Sequence, residues 1–152
     1  VYAMQKAVVI VLAFVVAVSL GISGYLLIHK SEAERISGIE KKAQAGDAEA
    51  QFRLGQVYIH GNPEAGVEPD AEQAEQWLQK SAAQKHRPAQ YALGVFYQSA
   101  GDDVGAYAWL SIAASRTNDL TAQFRDAVAK RMTGAQSAEA RQLIVQLQSE
   151  IK

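Results

Sequence analysis

Three histidines, His29, His60 and His86, are the first candidates for proton transfer or metal ligation in this chain. A helical metal site needs two such ligands about one turn apart, and no two of these are spaced that way. None sits beside Asp or Glu in a recognisable catalytic motif, and His29 has no haem-attachment motif near it. The sequence has no cysteine, which removes thiolate catalysis, iron–sulfur ligation and cysteine zinc sites. Asp102 and Asp103 are adjacent carboxylates, a pattern better explained by a helix N-cap than by paired acid–base groups. Gly21-Ile22-Ser23-Gly24 superficially resembles a nucleophile elbow but lacks its spacing and lies inside an apolar run. The expectation is a protein that is not an enzyme, with no metal or other cofactor and no small-molecule substrate.

The elements that carry these residues are unevenly apolar. Of 152 residues, 49% are hydrophobic, and Ala7 to Ile28 is a run without a single charge. Its 22 residues exceed the roughly 20 that a helix needs to cross a bilayer. Tyr2 and Tyr25 lie near its ends, with Lys6, His29 and Lys30 as polar stops. The run is longer than the apolar core of a cleavable signal peptide, and no clear Ala-x-Ala site follows it. Residues 1–30 are therefore expected to be an uncleaved, single-pass transmembrane anchor in contact with lipid over residues 7–28. Ala13, Ala17, Gly21 and Gly24 form a stripe of small residues suited to close packing against another membrane helix. Lys30, Arg35, Lys41 and Lys42 follow the run and only Lys6 precedes it, which counts towards a cytoplasmic C-terminal side. Against this, Glu32, Glu34 and Glu40 sit among those bases, and long domains translocate regardless of charge. The reading adopted is a bacterial inner-membrane protein whose soluble domain is periplasmic, with a cytoplasmic domain as the alternative.

Over the whole chain, 27 alanines and only three prolines favour closely packed helices. A net charge of −1 gives no electrostatic case for nucleic acid as a partner. Ala50-Gln51-Phe52-Arg53-Leu54-Gly55-Gln56-Val57-Tyr58 returns as Ala89-Gln90-Tyr91-Ala92-Leu93-Gly94-Val95-Phe96-Tyr97, identical at five of nine positions. Asp70, Ala74, Trp77, Leu78 and Ala82 keep the mutual spacing of Asp102, Ala106, Trp109, Leu110 and Ala114. The loop between the two blocks differs in length from copy to copy, as stacked repeats tolerate. Leu54 with Tyr58, and Leu93 with Tyr97, continue an apolar stripe at every fourth residue, so each block reads as a helix. Gly55 and Gly94 cost helix stability, about 1 kcal/mol each relative to Ala, and their recurrence marks the place where a neighbouring helix crosses. Trp77 and Trp109 are expected to be the large side chains filling the space beside those crossings. Asp70 with Gln73, and Thr133 with Gln136, fit capping boxes. A third first-helix is expected over Leu120 to Met132, and a last helix from about Ala135 to Ile151.

These residues resemble the Sel-one-like repeats, relatives of the tetratricopeptide repeats. The resemblance rests on Ala45-Gly46-Asp47-Ala48, Leu54-Gly55-Gln56-Val57-Tyr58, Gly66-Val67-Glu68-Pro69-Asp70, Ala74 with Trp77, and Ala82-Ala83. It extends through Ala106 to Ala114 and on to Arg125-Asp126 and Met132-Thr133, covering roughly residues 43 to 145. The second copy departs from the pattern at Lys85-His86-Arg87-Pro88, where a Gly-Asp turn is usual; this bears on the turn and leaves the hairpin intact. The fold class is accordingly all-α: a transmembrane helix, a connecting and capping helix over 31–46, and a short α/α solenoid over 47–152 of about two repeats with a helical cap. The resemblance implies a protein-binding scaffold whose concave face is lined by the first helix of each hairpin. On that helix the stripe opposite Leu54 and Tyr58 is Glu49, Arg53, Gln56 and His60, and in the second copy Pro88, Ala92, Val95 and Ser99. The function expected is an adaptor or accessory subunit holding a protein partner within an integral-membrane complex. Two other readings stay open: an anchor that self-associates through the small-residue stripe, and a periplasmic or peptidoglycan-related regulator. Charge is lopsided, with seven acids against Arg53 from Asp47 to Glu75 and three bases without an acid from Lys80 to Arg87.

Overall fold

The computed structural model describes residues 18–24, 31–114 and 120–151. Residues 18–24 are helical, and so are residues 31–44, labelled α1. Six further helices follow: α2 (Ala48–His60), α3 (Ala71–Ala82), α4 (Arg87–Ser99), α5 (Asp103–Ala113), α6 (Leu120–Ala129) and α7 (Gly134–Glu150). Between α2 and α3 the chain makes a short 3-10 turn at Pro63–Ala65 and one isolated bridge from Asn62 to Val67. The helix starts are set by short polar side chains that accept from otherwise unpaired backbone N–H groups. Asp47 accepts from the Ala50 N–H at 2.7 Å, Asp70 from Gln73 at 3.0 Å and Asp102 from Gly105 at 2.9 Å. Thr133 and Gln136 close both halves of a capping box at the start of α7. Asp102 is thus a helix cap, and its neighbour Asp103 is paired with Arg131.

Each glycine–leucine crossing locks one hairpin. A Cβ on Gly55 would lie 2.7 Å from Leu78 Cγ and 3.3 Å from the Ala74 carbonyl oxygen. A Cβ on Gly94 would lie 2.6 Å from Leu110 Cγ and 3.2 Å from the Leu110 amide nitrogen. The helices do cross at the glycines, but the side chains seated there are the leucines, and the tryptophans lie beside them. Trp109 packs with Leu78, Ala82, Ala89 and Leu93 and is only 5% exposed. Trp77 packs on Ala43, Ala50 and Leu54, as do Ile39 and Tyr58. Ile39, Ala43, Ala50 and Leu54 each precede Leu78, Ala82, Ala89 and Leu93 by 39 residues, so α1 stands to the first hairpin as α3 stands to the second. One hydrogen bond repeats in step with this packing. The buried Gln51 side chain donates to the Ala43 carbonyl at 3.1 Å, and the buried Gln90 side chain donates to the Ala82 carbonyl at 3.2 Å. Each glutamine adds a second donor to a carbonyl at the end of the preceding helix, which also accepts from the backbone N–H of Gly46 or Lys85 in the turn that follows.

The departure at Lys85-His86 alters side chains while keeping the turn. Lys85 takes φ +61 where Gly46 takes φ +95, and His86 occupies the N-cap position of α4, as Asp47 does for α2. Arg87 Nε and an Nη donate to the Ala113 carbonyl at 3.1 and 2.9 Å, closing the end of α5.

The stack ends differently at its two sides. Gln73, Gln76 and Lys80 on α3 correspond, 32 residues on, to Gly105, Ala108 and Ile112 on α5. Lys80 lies over the Trp77 ring at 4.0 Å and leaves that face polar, whereas Leu147 of α7 and Ile151 just past its end pack onto the cluster around Trp109. Between the repeats, Tyr97 of α4 donates to Glu75 of α3, and Gln79 donates to the Tyr97 hydroxyl oxygen at 3.3 Å. Burial and the Glu75 carboxylate push the Tyr97 hydroxyl up to about 12. Among the described residues no helix is long and apolar enough to cross a membrane. Ala13 and Ala17 lie outside the described residues, and Gly21 and Gly24 have no neighbour within 4 Å of a Cβ position.

Gly94→Val places a branched side chain against Leu110 and should destabilise the domain by at least about 2 kcal/mol in urea unfolding. Gly134→Ala, which meets nothing within 4 Å, is the control and should leave the midpoint almost unchanged. The Tyr97 hydroxyl ionises at a higher pH folded than unfolded, so its contribution is whole below about pH 10 and is lost as pH rises towards about 12. An absorbance titration should show a late-ionising tyrosine that disappears in Tyr97→Phe, together with a shallower loss of stability in that pH window.

Candidate protein-binding groove

The three inner helices run parallel. Gln84 donates to Gln51, and His86 Nε2 sits 3.2 Å from Glu49, so α4 begins beside the beginning of α2. Arg131, just past α6, pairs with Asp103 at the start of α5, which sets α6 antiparallel to α5 and parallel to α4. Side chains three and four apart on one helix share a face, so parallel neighbours pair those faces along their length. Between α2 and α4 this leaves a groove of about 360 Å³. Phe52, Gln56, Ile59 and His60 line it from α2, and Pro88, Tyr91, Ala92, Val95, Phe96 and Ser99 from α4. On its α6 side the Tyr91 ring meets Phe124 edge-on at 6.1 Å. Val95 is 39% and Phe124 37% exposed, large apolar groups left facing water.

The structure brings Gln56, His60 and Val95 to this groove and places Glu49 and Arg53 elsewhere. Arg53 and Glu49 form an ion pair at 2.6 Å in a separate, polar cleft between α1 and α2, beside Arg35 and Lys42. The Arg53 guanidinium holds the Glu49 carboxyl below the usual carboxylate range, with a smaller contribution from His86. The division follows from helix geometry, since Arg53 is one residue past Phe52 and so turns about 100° away from it. Polarity guided the choice of stripe in the sequence, while the groove is built mainly of Phe52, Ile59, Tyr91, Phe96 and the adjoining Phe124. A signal for them exists in the chain: an aromatic follows Ala-Gln on each inner helix, at Phe52, Tyr91 and Phe124. On α6 the flanking Gln123 is exposed, so only the aromatic recurs in function there.

His60 stands alone at the mouth of the groove, His86 packs its ring on Phe52 at 5.2 Å, and His29 lies outside the described residues. Among the described residues no three His, Cys, Asp or Glu side chains gather in a way that could hold a metal ion. The groove offers apolar contact and a few hydrogen-bonding groups, chemistry for holding a chain segment.

The Sel1 repeat family model matches residues 48–86 and 87–118. The first match spans α2, α3 and the turn before α4, and the second begins with α4 and α5. Among curated proteins none matches the chain. Among solved structures, the chain is similar to a protective antigen present in uropathogenic Escherichia coli strains that displays an SLR fold. The TM-score is 0.67 at 31% sequence identity, over 79% of this chain and 26% of that one. The chain thus spans about a quarter of the length of that protein. Residues 48–118 are similar to two tandem Sel1 repeats, and the helical arrangement is similar to an SLR fold.

Proposed function

We propose that this protein is a non-catalytic scaffold that captures a segment of a protein partner in the groove between α2 and α4. The observation that carries this reading is the row of aromatic and aliphatic side chains left open on the inner-helix face. A folded domain ordinarily buries such groups, and concave solenoid faces are where these proteins bind. Phe52, Tyr91 and Val95 are large enough to supply most of the contact, with Gln56, His60 and Ser99 offering hydrogen bonds at the rim.

The setting rests on the sequence. The uncharged run of residues 7–28 supports a single-pass anchor that would hold the scaffold at the bacterial inner membrane as an accessory subunit of a membrane complex. The domain would face the periplasm, and Ala13, Ala17, Gly21 and Gly24 would pack against a companion helix. Neither the groove nor the repeats depend on this setting.

A photoreactive phenylalanine analogue at Val95 of the full chain should cross-link one partner in native membranes, whereas the same group at Gln76, on the polar outer face of α3, should not. Val95→Glu should lose that partner with unchanged circular dichroism and melting. Equal yields at both positions, or full binding by Val95→Glu, reject the groove. For the anchor, the full chain should stay with the membrane pellet through alkaline carbonate extraction, and its release into the supernatant would reject residues 7–28 as a span.

A further inference from the structure

The parallel inner helices put all the N-terminal ends of α2 and α4 at one end of the groove and all their C-terminal ends at the other. That topology sorts the charges. Lys42, Lys85 and Arg87 lie in or beside the turns at the N-terminal end. The acids there are already engaged, since Asp47 caps α2 and Glu49 is held by Arg53 and His86. Glu64 and Glu68 occupy the α2–α3 loop at the C-terminal end, where Asp70 caps α3 and Asp102 caps α5. The bases near them are Lys130 and Arg131, of which Arg131 is bound to Asp103. From Pro88 to Ser99 the groove runs about 17 Å, at 1.5 Å per helical residue. The screening length at physiological salt is about 8 Å, so the two ends act separately on a bound segment instead of cancelling.

We infer that the groove is directional: it takes an amphipathic segment of a partner protein whose acidic end lies at the α3–α4 turn around Lys85 and whose basic end lies at the α2–α3 loop around Glu64 and Glu68. This rests on the groove reading and adds the partner's chemistry and orientation to it. The apolar side chains of the segment fill the space between Phe52 and Val95, and its charged flanks meet unlike potential at each end. A segment with bases at the Lys85 end meets like charge at both ends.

The test uses the full chain in detergent and synthetic amphipathic peptides with one apolar core. One peptide carries glutamates before the core and lysines after it, a second has those blocks exchanged, a third has lysines at both ends and a fourth has uncharged flanks. Both two-signed peptides should bind about threefold to tenfold tighter than the fourth at low salt, and the difference should vanish in high salt. A nitroxide on the glutamate block should broaden the amide resonances of Lys85 and His86, and not those of Glu64 and Gly66, whichever end of the peptide carries the block. Lys85→Glu should remove most of that preference while leaving the uncharged-flank peptide unaffected. Val95→Glu should abolish binding of every peptide. If all four peptides bind equally, or the label broadens both ends, the directional inference is wrong and the groove stands. If none binds, both fail.

Discussion

The contact on which this structure depends is a leucine seated where a side chain is missing. Gly55 and Gly94 each cost their helices about 1 kcal/mol of intrinsic propensity. The leucines they admit, Leu78 and Leu110, are fully buried, and such burial contributes about 1.5–3 kcal/mol apiece. The balance favours the crossing, and it is specific, because even one methyl group at either glycine would overlap a leucine Cγ. Drawing the two helices of a hairpin this close fixes their mutual rotation. The rotation then decides which side chains of α2 and α4 turn inward to the leucines and which are left on the open face. Ala50 and Leu54 go one way; Phe52, Gln56 and Ile59 go the other.

Stacking repeats must also be stopped, since every hairpin presents a surface for another. At the beginning, α1 imitates the second helix of a repeat through Ile39 and Ala43 and offers the Ala43 carbonyl to Gln51 as α3 offers Ala82 to Gln90. At the other side α5 receives neighbours on several faces. Gly105, Ala108 and Ile112 replace the polar Gln73, Gln76 and Lys80 of α3, and α7 settles there with Leu147 and with Ile151 just past its end. Two helices of matching spacing thus serve as an exposed wall and a central post, and Gly105, Ala108 and Ile112 are among the positions at which they differ.

The same alternation of direction that buries the leucines also sorts charge. Because every inner helix runs the same way, turns of one kind gather at one end of the groove and loops of the other kind at the opposite end. Acids and bases that alternate along the chain are thereby separated in space by the length of a helix. Lys85 and His86 show how little of this is needed for folding. A lysine at positive φ and a histidine at a cap are poor choices for the turn, where Gly46 and Asp47 show what stability alone would select. Yet they leave the turn's path unchanged and give the basic end of the groove its charge.

Much of the fold is legible in the residues. The 39-residue recurrence, the two glycines, the caps at Asp70 and Thr133 and the helix period together specify helical hairpins in series, because each depends on short-range spacing. The seat of the crossing needs the tertiary structure: the residue opposite a glycine is fixed by the rotation of two helices, which places Leu78 and Leu110 there with the tryptophans beside them. The groove was legible only in part. Gln56, His60 and Val95 could be placed by stepping round a helix, whereas Glu49 and Arg53 sit on the same helix and face α1. What the sequence by itself determined is which segments coil, how they repeat and where they are capped, since propensity, period and capping act within a few residues. Only the tertiary structure decided which faces remain open, that Phe52, Tyr91 and Phe124 line one surface, and that acids and bases part to opposite ends, because these follow from the angles at which separate helices meet.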